Sequence, residues 1–162
     1  MARAMLLVLL LPISAWSADA MDAKTKVNAV LDDWHRAAAE ANEARYFGHF
    51  TSDAIFLGTD ATERWTRDEF RAWARPYFAR GKAWTFTSTR RNVSFARDGN
   101  TAWFDEDLAT QNMGPCRGSG VLVKEGGDWR IAQYNLSVPI PNEALGEVKK
   151  LIEAELKKKP KP

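Results

Sequence analysis

The segment Ala102-Trp103-Phe104-Asp105-Glu106-Asp107-Leu108 holds the residue best placed for chemistry. In a β-strand, successive side chains point to opposite faces. Ala102, Phe104, Glu106 and Leu108 then share an apolar face, while Trp103, Asp105, Asp107 and Ala109 share a more polar one. Glu106 becomes a carboxylate on an otherwise apolar, inward face. Desolvation there would raise its pKa and suit it to general acid–base catalysis. The same position equally fits a structural carboxylate, paired with an Arg or bonded to a Trp N–H.

Asp60 and Glu63 form a second candidate cluster, in and just after a polar loop that leads into Trp65. Asp60 could act as a base or hold a ligand at a pocket mouth, or simply bond its own backbone in a turn. On the last apolar stretch, Trp129, Ile131, Gln133, Asn135 and Ser137 fall on one face. If that face is inward, Gln133 and Asn135 supply neutral hydrogen bonds inside an apolar pocket walled by Phe104 and Trp129. The competing assignment turns Tyr134 inward instead. His35, beside Trp34 and near Asp32 and Asp33, lacks metal-motif spacing and reads as solvated or capping. Cys116 is the only thiol. Burial is the simpler reading for it, because no nearby His or Lys would activate it.

These residues must be positioned by a small number of elements. Val27, Val30, Leu31, Trp34, Ala38 and Ala41 recur at helical spacing, which predicts one amphipathic helix over about 22–45. A short helical turn follows around Tyr46, Phe47 and Phe50, then a buried strand at 54–58 folding back onto 63–65. Thr66-Arg67-Asp68-Glu69 is a capping box opening a helix with an aromatic face. Pro76 should kink or split that helix, and Gly81 should end it. Four strands are then expected, at 84–97, 101–111, 118–124 and 129–138, with turns at Asp98-Gly99-Asn100, Asn112–Pro115 and Glu125–Asp128. A last amphipathic helix carries Leu145, Val148, Leu151, Ile152 and Leu156. The pattern predicts an α+β cone: a curved antiparallel sheet packed against N-terminal helices, with a C-terminal amphipathic helix. Such a cone leaves a pocket.

Composition narrows the function classes. A chain of 162 residues that is 45% hydrophobic and 27% charged is one globular domain rather than a disordered or multidomain chain. A net charge of +2 argues against a nucleic-acid binder. One cysteine and two histidines leave little for a disulfide framework or a zinc centre, and no metal or cofactor motif is present. Seven Trp and eight Phe imply a large aromatic core or an aromatic-lined cavity. Residues 1–20 carry Arg3, the apolar run MLLVLLLPI and the small-residue stretch ending Ala18-Asp19-Ala20. This is the pattern of a cleaved secretory signal peptide, too short to span a bilayer. The expectation is an exported protein, periplasmic or secreted, with no lipid anchor and no stable membrane insertion. The domain would occupy 21–142, followed by the helix and basic tail at 143–162.

Phe56–Trp65, Gly118-Ser119-Gly120-Val121-Leu122, Trp129–Ser137 and Pro139-Ile140-Pro141-Asn142 together resemble SnoaL-like proteins of the nuclear transport factor 2-like (NTF2-like) superfamily. The resemblance runs over about 24–142. It implies a cone-shaped barrel, commonly a homodimer, in a family that spans isomerases, cyclases, dehydratases, hydrolases and plain binding modules. Fold alone therefore does not choose among them. In the steroid-isomerase branch the base would fall on Gly58, which cannot take a proton. Many relatives carry His where this chain has Gln133 or Asn135. Pocket residues of this fold often follow the first helix, which adds Tyr46 and His49 to the candidate ligand contacts; His49 could serve as a base or as packing. The resulting expectation is a protein that binds a small, largely apolar molecule, with cofactor-independent acid–base chemistry centred on Glu106. The alternative is a protein-interaction module of the cell envelope.

Overall fold

The computed structural model describes residues 13–158. Most of the expected leader, and the last four residues of the basic tail, lie outside the described residues; residues 13–20 form the first turns of a helix. The elements are α1 (Ile13–Ala39), α2 (Glu43–Gly48), β1 (Phe50–Leu57), β2 (Arg64–Thr66), α3 (Arg67–Phe78), β3 (Thr87–Phe95), β4 (Thr101–Ala109), β5 (Cys116–Glu125), β6 (Asp128–Ser137) and α4 (Leu145–Lys158). A 3₁₀ turn at Asn142–Ala144 leads into α4.

The six strands form one sheet in the order β2-β1-β6-β5-β4-β3. All neighbours are antiparallel except β1 and β6, which run parallel. The expected wholly antiparallel sheet is corrected at that junction, and connectivity gives the reason. After the β1–β2 hairpin, the chain crosses to the far edge of the sheet through α3 and the linker 79–86. It then meanders back through β3, β4 and β5, so that β6 arrives beside β1 in the same direction. The crossover lies over the sheet and contributes side chains to what the sheet encloses.

The first helix ends earlier than its periodicity suggests. Asn42 N–H donates to Ala37 O at 2.8 Å and Ala41 N–H to Ala38 O at 3.0 Å, with Ala41 at φ 53°. This is a Schellman closure with Ala where Gly is usual. The Asn42 side chain then caps α2 by accepting from Arg45 N–H at 3.0 Å. Phe50, expected in a helical turn, opens β1 instead. The Thr66–Glu69 capping box forms as expected, and α3 runs on through Pro76 to Phe78 without splitting.

The core is strongly aromatic. Trp34, Tyr46, Phe47, Phe50, Phe56, Phe70, Phe78, Phe104, Trp129 and Tyr134 are all buried, with Val27, Leu31, Leu122 and Ile131 among them. Phe56 and Phe70 stack at 3.9 Å, which joins β1 to α3. In contrast, α4 buries none of its residues: Leu145, Leu151, Ile152 and Leu156 are each more than half exposed. No helix among the described residues is long and apolar enough to cross a membrane.

Candidate functional site

β4 keeps strict alternation. Ala102, Phe104, Glu106 and Leu108 are all buried, while Trp103 on the other face is half-exposed. Glu106 is the one acidic side chain with no exposure at all among the buried residues. Its two oxygens are divided between two sets of partners. Oε2 accepts from Arg91 Nε at 2.9 Å, with Arg91 Nη2 also at 2.9 Å. Oε1 lies 2.8 Å from His35 Nε2 and accepts from the Tyr134 hydroxyl at 3.3 Å. Arg91 stands directly across from Glu106 in the β3–β4 ladder. It continues to Asp32 Oδ1 at 2.8 Å and so ties α1 to the sheet.

These contacts reverse the expected electrostatics. Burial alone raises the carboxyl's pKa, but the His35 bond and charge together with the Arg91 guanidinium outweigh it. Glu106 is held below its ordinary value of 4.5. It is therefore an anchored carboxylate rather than a poised proton donor, and the paired, structural reading of its position is the one its contacts match. An ionised carboxylate only accepts, so the bonded His35 Nε2 carries a proton; in the neutral imidazole, Nδ1 is then the acceptor. Nδ1 has no protein partner among the described residues and is not sealed away from solvent-sized space. The Tyr134 phenol is pushed well above its usual pKa by burial and by the Glu106 charge, and that of Tyr46 by burial, so both are neutral donors.

Beside this cluster lies a cavity of about 200 Å³. α1 supplies Trp34 and His35, α2 Tyr46, β1 Phe56 and β6 Tyr134 with Leu136. The hairpin loop adds Gly58, Thr59 and Glu63, followed by Trp65 from β2. α3 and the crossover linker close the remaining side with Phe70, Trp73, Trp84 and Phe86, joined by Met113 from the β4–β5 turn. Gly118 makes the Tyr134–Glu106 contact possible. A Cβ at Gly118 would collide with the Tyr134 hydroxyl and press on Glu106 Cγ at 3.0 Å.

The expected ligand contacts divide. Tyr46, Glu63 and Trp65 line the cavity, and Phe104 packs behind it against Tyr134 at 6.0 Å. Trp129 is buried, but against Phe95 and under Lys124, away from the cavity. His49 pairs with Asp33 at 2.9 Å in a separate cleft beside Trp129 and Arg130. Asp60 is exposed; its carboxylate accepts from Thr62 N–H and hydroxyl at 2.9 and 2.6 Å, the turn geometry weighed for it above. Gln133 and Asn135 require a correction. β6 pairs with β5 through Leu122↔Ile131 and then Val121↔Gln133, so Ala132 is an extra residue, a β-bulge. Trp129 and Ile131 face inward before it, and Tyr134 and Leu136 after it. Gln133 and Asn135 are accordingly not among the cavity residues; Asn135 lies in a shallow groove between the hairpin loop and α4.

His35 and Arg91 were not expected here. His35 is four residues after Leu31 and eight after Val27, which places it on the buried stripe of α1. Arg91 shares strand parity with Val93 and Phe95, and a hairpin closing at Asp98–Asn100 brings it opposite Glu106. Both signals were present in the spacing. Cys116 is buried, with its thiol pKa raised by desolvation.

A curved mixed sheet packed against N-terminal helices is an α+β fold of the NTF2-like kind. Within it, the chain belongs to the SnoaL-like domain family, whose profile matches residues 27–141. No curated protein sequence matches the chain. Solved structures share the fold at low identity. An NTF2-like protein of unknown function from Pseudomonas putida is 13% identical, with 76% of this chain and 92% of that one covered at a TM-score of 0.63. A candidate scytalone dehydratase from Novosphingobium aromaticivorans is 12% identical over 76% and 89% of the two chains, with a TM-score of 0.64. A candidate ketosteroid isomerase from Parabacteroides distasonis is 15% identical over 71% and 86%, with a TM-score of 0.57.

Proposed function

We propose that this chain binds a small, largely apolar molecule in the aromatic cavity and acts on it by cofactor-independent acid–base chemistry of the isomerase or lyase kind. The observation that carries the reading is the His35–Glu106 pair. Glu106 fixes the imidazole with its proton on Nε2, and His35 lines the cavity with Nδ1 unpartnered. A base oriented by a buried carboxylate can take a proton from a carbon acid, and the carboxylate stabilises the imidazolium that forms. Tyr46, a neutral phenol in the same wall, can donate to an oxygen of the ligand as charge develops there. This reading moves the base from Glu106 to His35 and keeps Glu106 as the group that orients it. The candidate dehydratase and isomerase neighbours are of the same reaction classes, which supports the reading at the level of fold.

The test is solvent deuterium exchange into small enone and β-hydroxy-ketone probes, followed by mass spectrometry. Exchange catalysed by the native protein should fall at least about 100-fold in His35→Gln, the usual scale for losing a general base. His35→Gln keeps a hydrogen-bonding side chain against Glu106. Equal exchange by the two proteins would overturn the assignment of His35.

The proposal extends to the context in which the protein works. The charged, apolar and small-residue segments of 1–20 support export with leader cleavage, to the periplasm or the medium. A homodimer is proposed on the exposed apolar side chains of α4 and Trp103. The same surface favours a second reading, an envelope protein-interaction module. Native mass spectrometry of the mature protein separates these by subunit mass, oligomer and any retained small molecule.

A further inference from the structure

Among the described residues, Glu63 is the only side chain lining the cavity that carries a carboxylate, and no Lys or Arg lines it. We infer that the ligand is a small organic cation: an ammonium head on a flat apolar body, its head held between Glu63 and the Trp65 and Trp73 rings. The inference rests on the cavity being the ligand site.

Four observations carry it. The first is that Glu63 makes no ion pair among the described residues; its Oε2 accepts only the Asp60 N–H, at 3.1 Å. Gly58 leaves the space that the carboxylate occupies, since a Cβ there would collide with Glu63 Oε2. The second is the disposition of the rings. Trp65 stacks with Phe70 at 5.7 Å and 6° and with Trp73 at 5.1 Å and 25°, and Trp84 stands 6.4 Å from Trp73. Indole faces are the best side-chain partners for a cation. The third is that no Lys or Arg among the described residues sits over these rings. Arg71, Arg80 and Lys124 sit over Phe47, Tyr77 and Trp129, none of which lines the cavity. The fourth is that the guanidinium behind the polar cluster is neutralised. Arg91 stands behind Glu106 and is shared with Asp32, while Tyr46 and Tyr134 stay uncharged.

An anion entering this space would meet the Glu63 carboxylate and no Lys or Arg among the described lining residues. A neutral molecule would gain apolar contact and at most a hydrogen bond to Glu63. A cation gains from the carboxylate and from the ring faces together. About 200 Å³ is below the ~300–1,000 Å³ of sites for drug-sized ligands, so the molecule is small.

The experiment is a titration of the full chain, followed by tryptophan fluorescence and calorimetry, with two probes of one shape. The probes are 3-hydroxyphenyltrimethylammonium and 3-tert-butylphenol, which differ only in the charge at the quaternary centre. The cation should bind at least tenfold more tightly. Glu63→Gln should remove most of that advantage, weakening the cation several-fold more than the phenol. Trp73→Leu, at a side chain that is 43% exposed and so dispensable to the core, should weaken the cation more than the phenol. Tighter or equal binding of the phenol, or a Glu63→Gln variant that binds the cation as the native protein does, overturns the cation assignment and leaves the cavity as a neutral ligand site. Binding of neither probe to the folded protein overturns both the cation assignment and the ligand cavity.

Discussion

Glu106 sits where a carboxylate is costly, and its partners decide what that position means. A buried ion pair broken from one side leaves an uncompensated charge, at a cost of about 3–5 kcal/mol. Glu106→Gln would leave the Arg91 guanidinium with Asp32 as its one charged partner, so it should lower stability in urea unfolding by up to about that amount. For this reason it is a poorer probe of chemistry than His35→Gln. The pH dependence has a definite sign. The folded state holds Glu106 below its ordinary 4.5, so the unfolded chain binds the proton more readily. The contribution is fully present above about pH 5.5 and is lost as pH falls through 4.5 and the lower, folded value. In urea midpoints measured from pH 7 to 3, the native protein should show a steeper acid limb than Glu106→Gln. Parallel limbs would remove Glu106 from the account of acid stability. The inward face of β4 was legible because alternation there is unbroken. The direction of the pKa was not, because it depends on His35 and Arg91, which the chain brings from 71 and 15 residues away.

Elements were read well where one period holds and poorly where a single residue interrupts it. The capping box at Thr66 and the four-strand meander follow from local chemistry. The bulge at Ala132 carries no sequence signal of its own, since Ala fits either face, yet it exchanges Gln133 and Asn135 for Tyr134 and Leu136 in the cavity. The end of α1 was hidden in the same way, because Ala41 looks like one more helical residue. A non-glycine residue at φ 53° is strained by about 1–2 kcal/mol. Ala41→Gly should therefore raise the urea midpoint, corresponding to about 0.5–1 kcal/mol, against the usual penalty for glycine in a helix. A loss of stability would mean that the Schellman closure does not form in solution.

At the scale of the whole molecule, the core and the C-terminal helix are separable. α4 buries no residue and contacts mainly the 3₁₀ turn that precedes it. A chain ending at Asn142 should keep the melting temperature of the full chain within about 2 °C, because surface changes away from core features usually stay within ~0.5 kcal/mol. If α4 mediates self-association, the same truncation should halve the native mass. A truncated chain that melts much lower would show that α4 packs on the domain. The parallel β1–β6 junction is also a whole-molecule property. It follows from where the crossover lands rather than from either strand's residues, which is why strand patterns alone suggested an antiparallel sheet.

The 71-residue separation between His35 and Glu106 also sets a schedule. At roughly 5–20 residues per second, the ribosome delivers Glu106 about 4–14 s after His35. For that interval α1 is complete, yet the strand that gives its histidine a partner has not been made. The buried stripe of α1 must wait, exposed or sheltered by another protein, until β4 emerges. The pair at the back of the cavity thus cannot close until β4 has been made, well after the helix that carries its histidine.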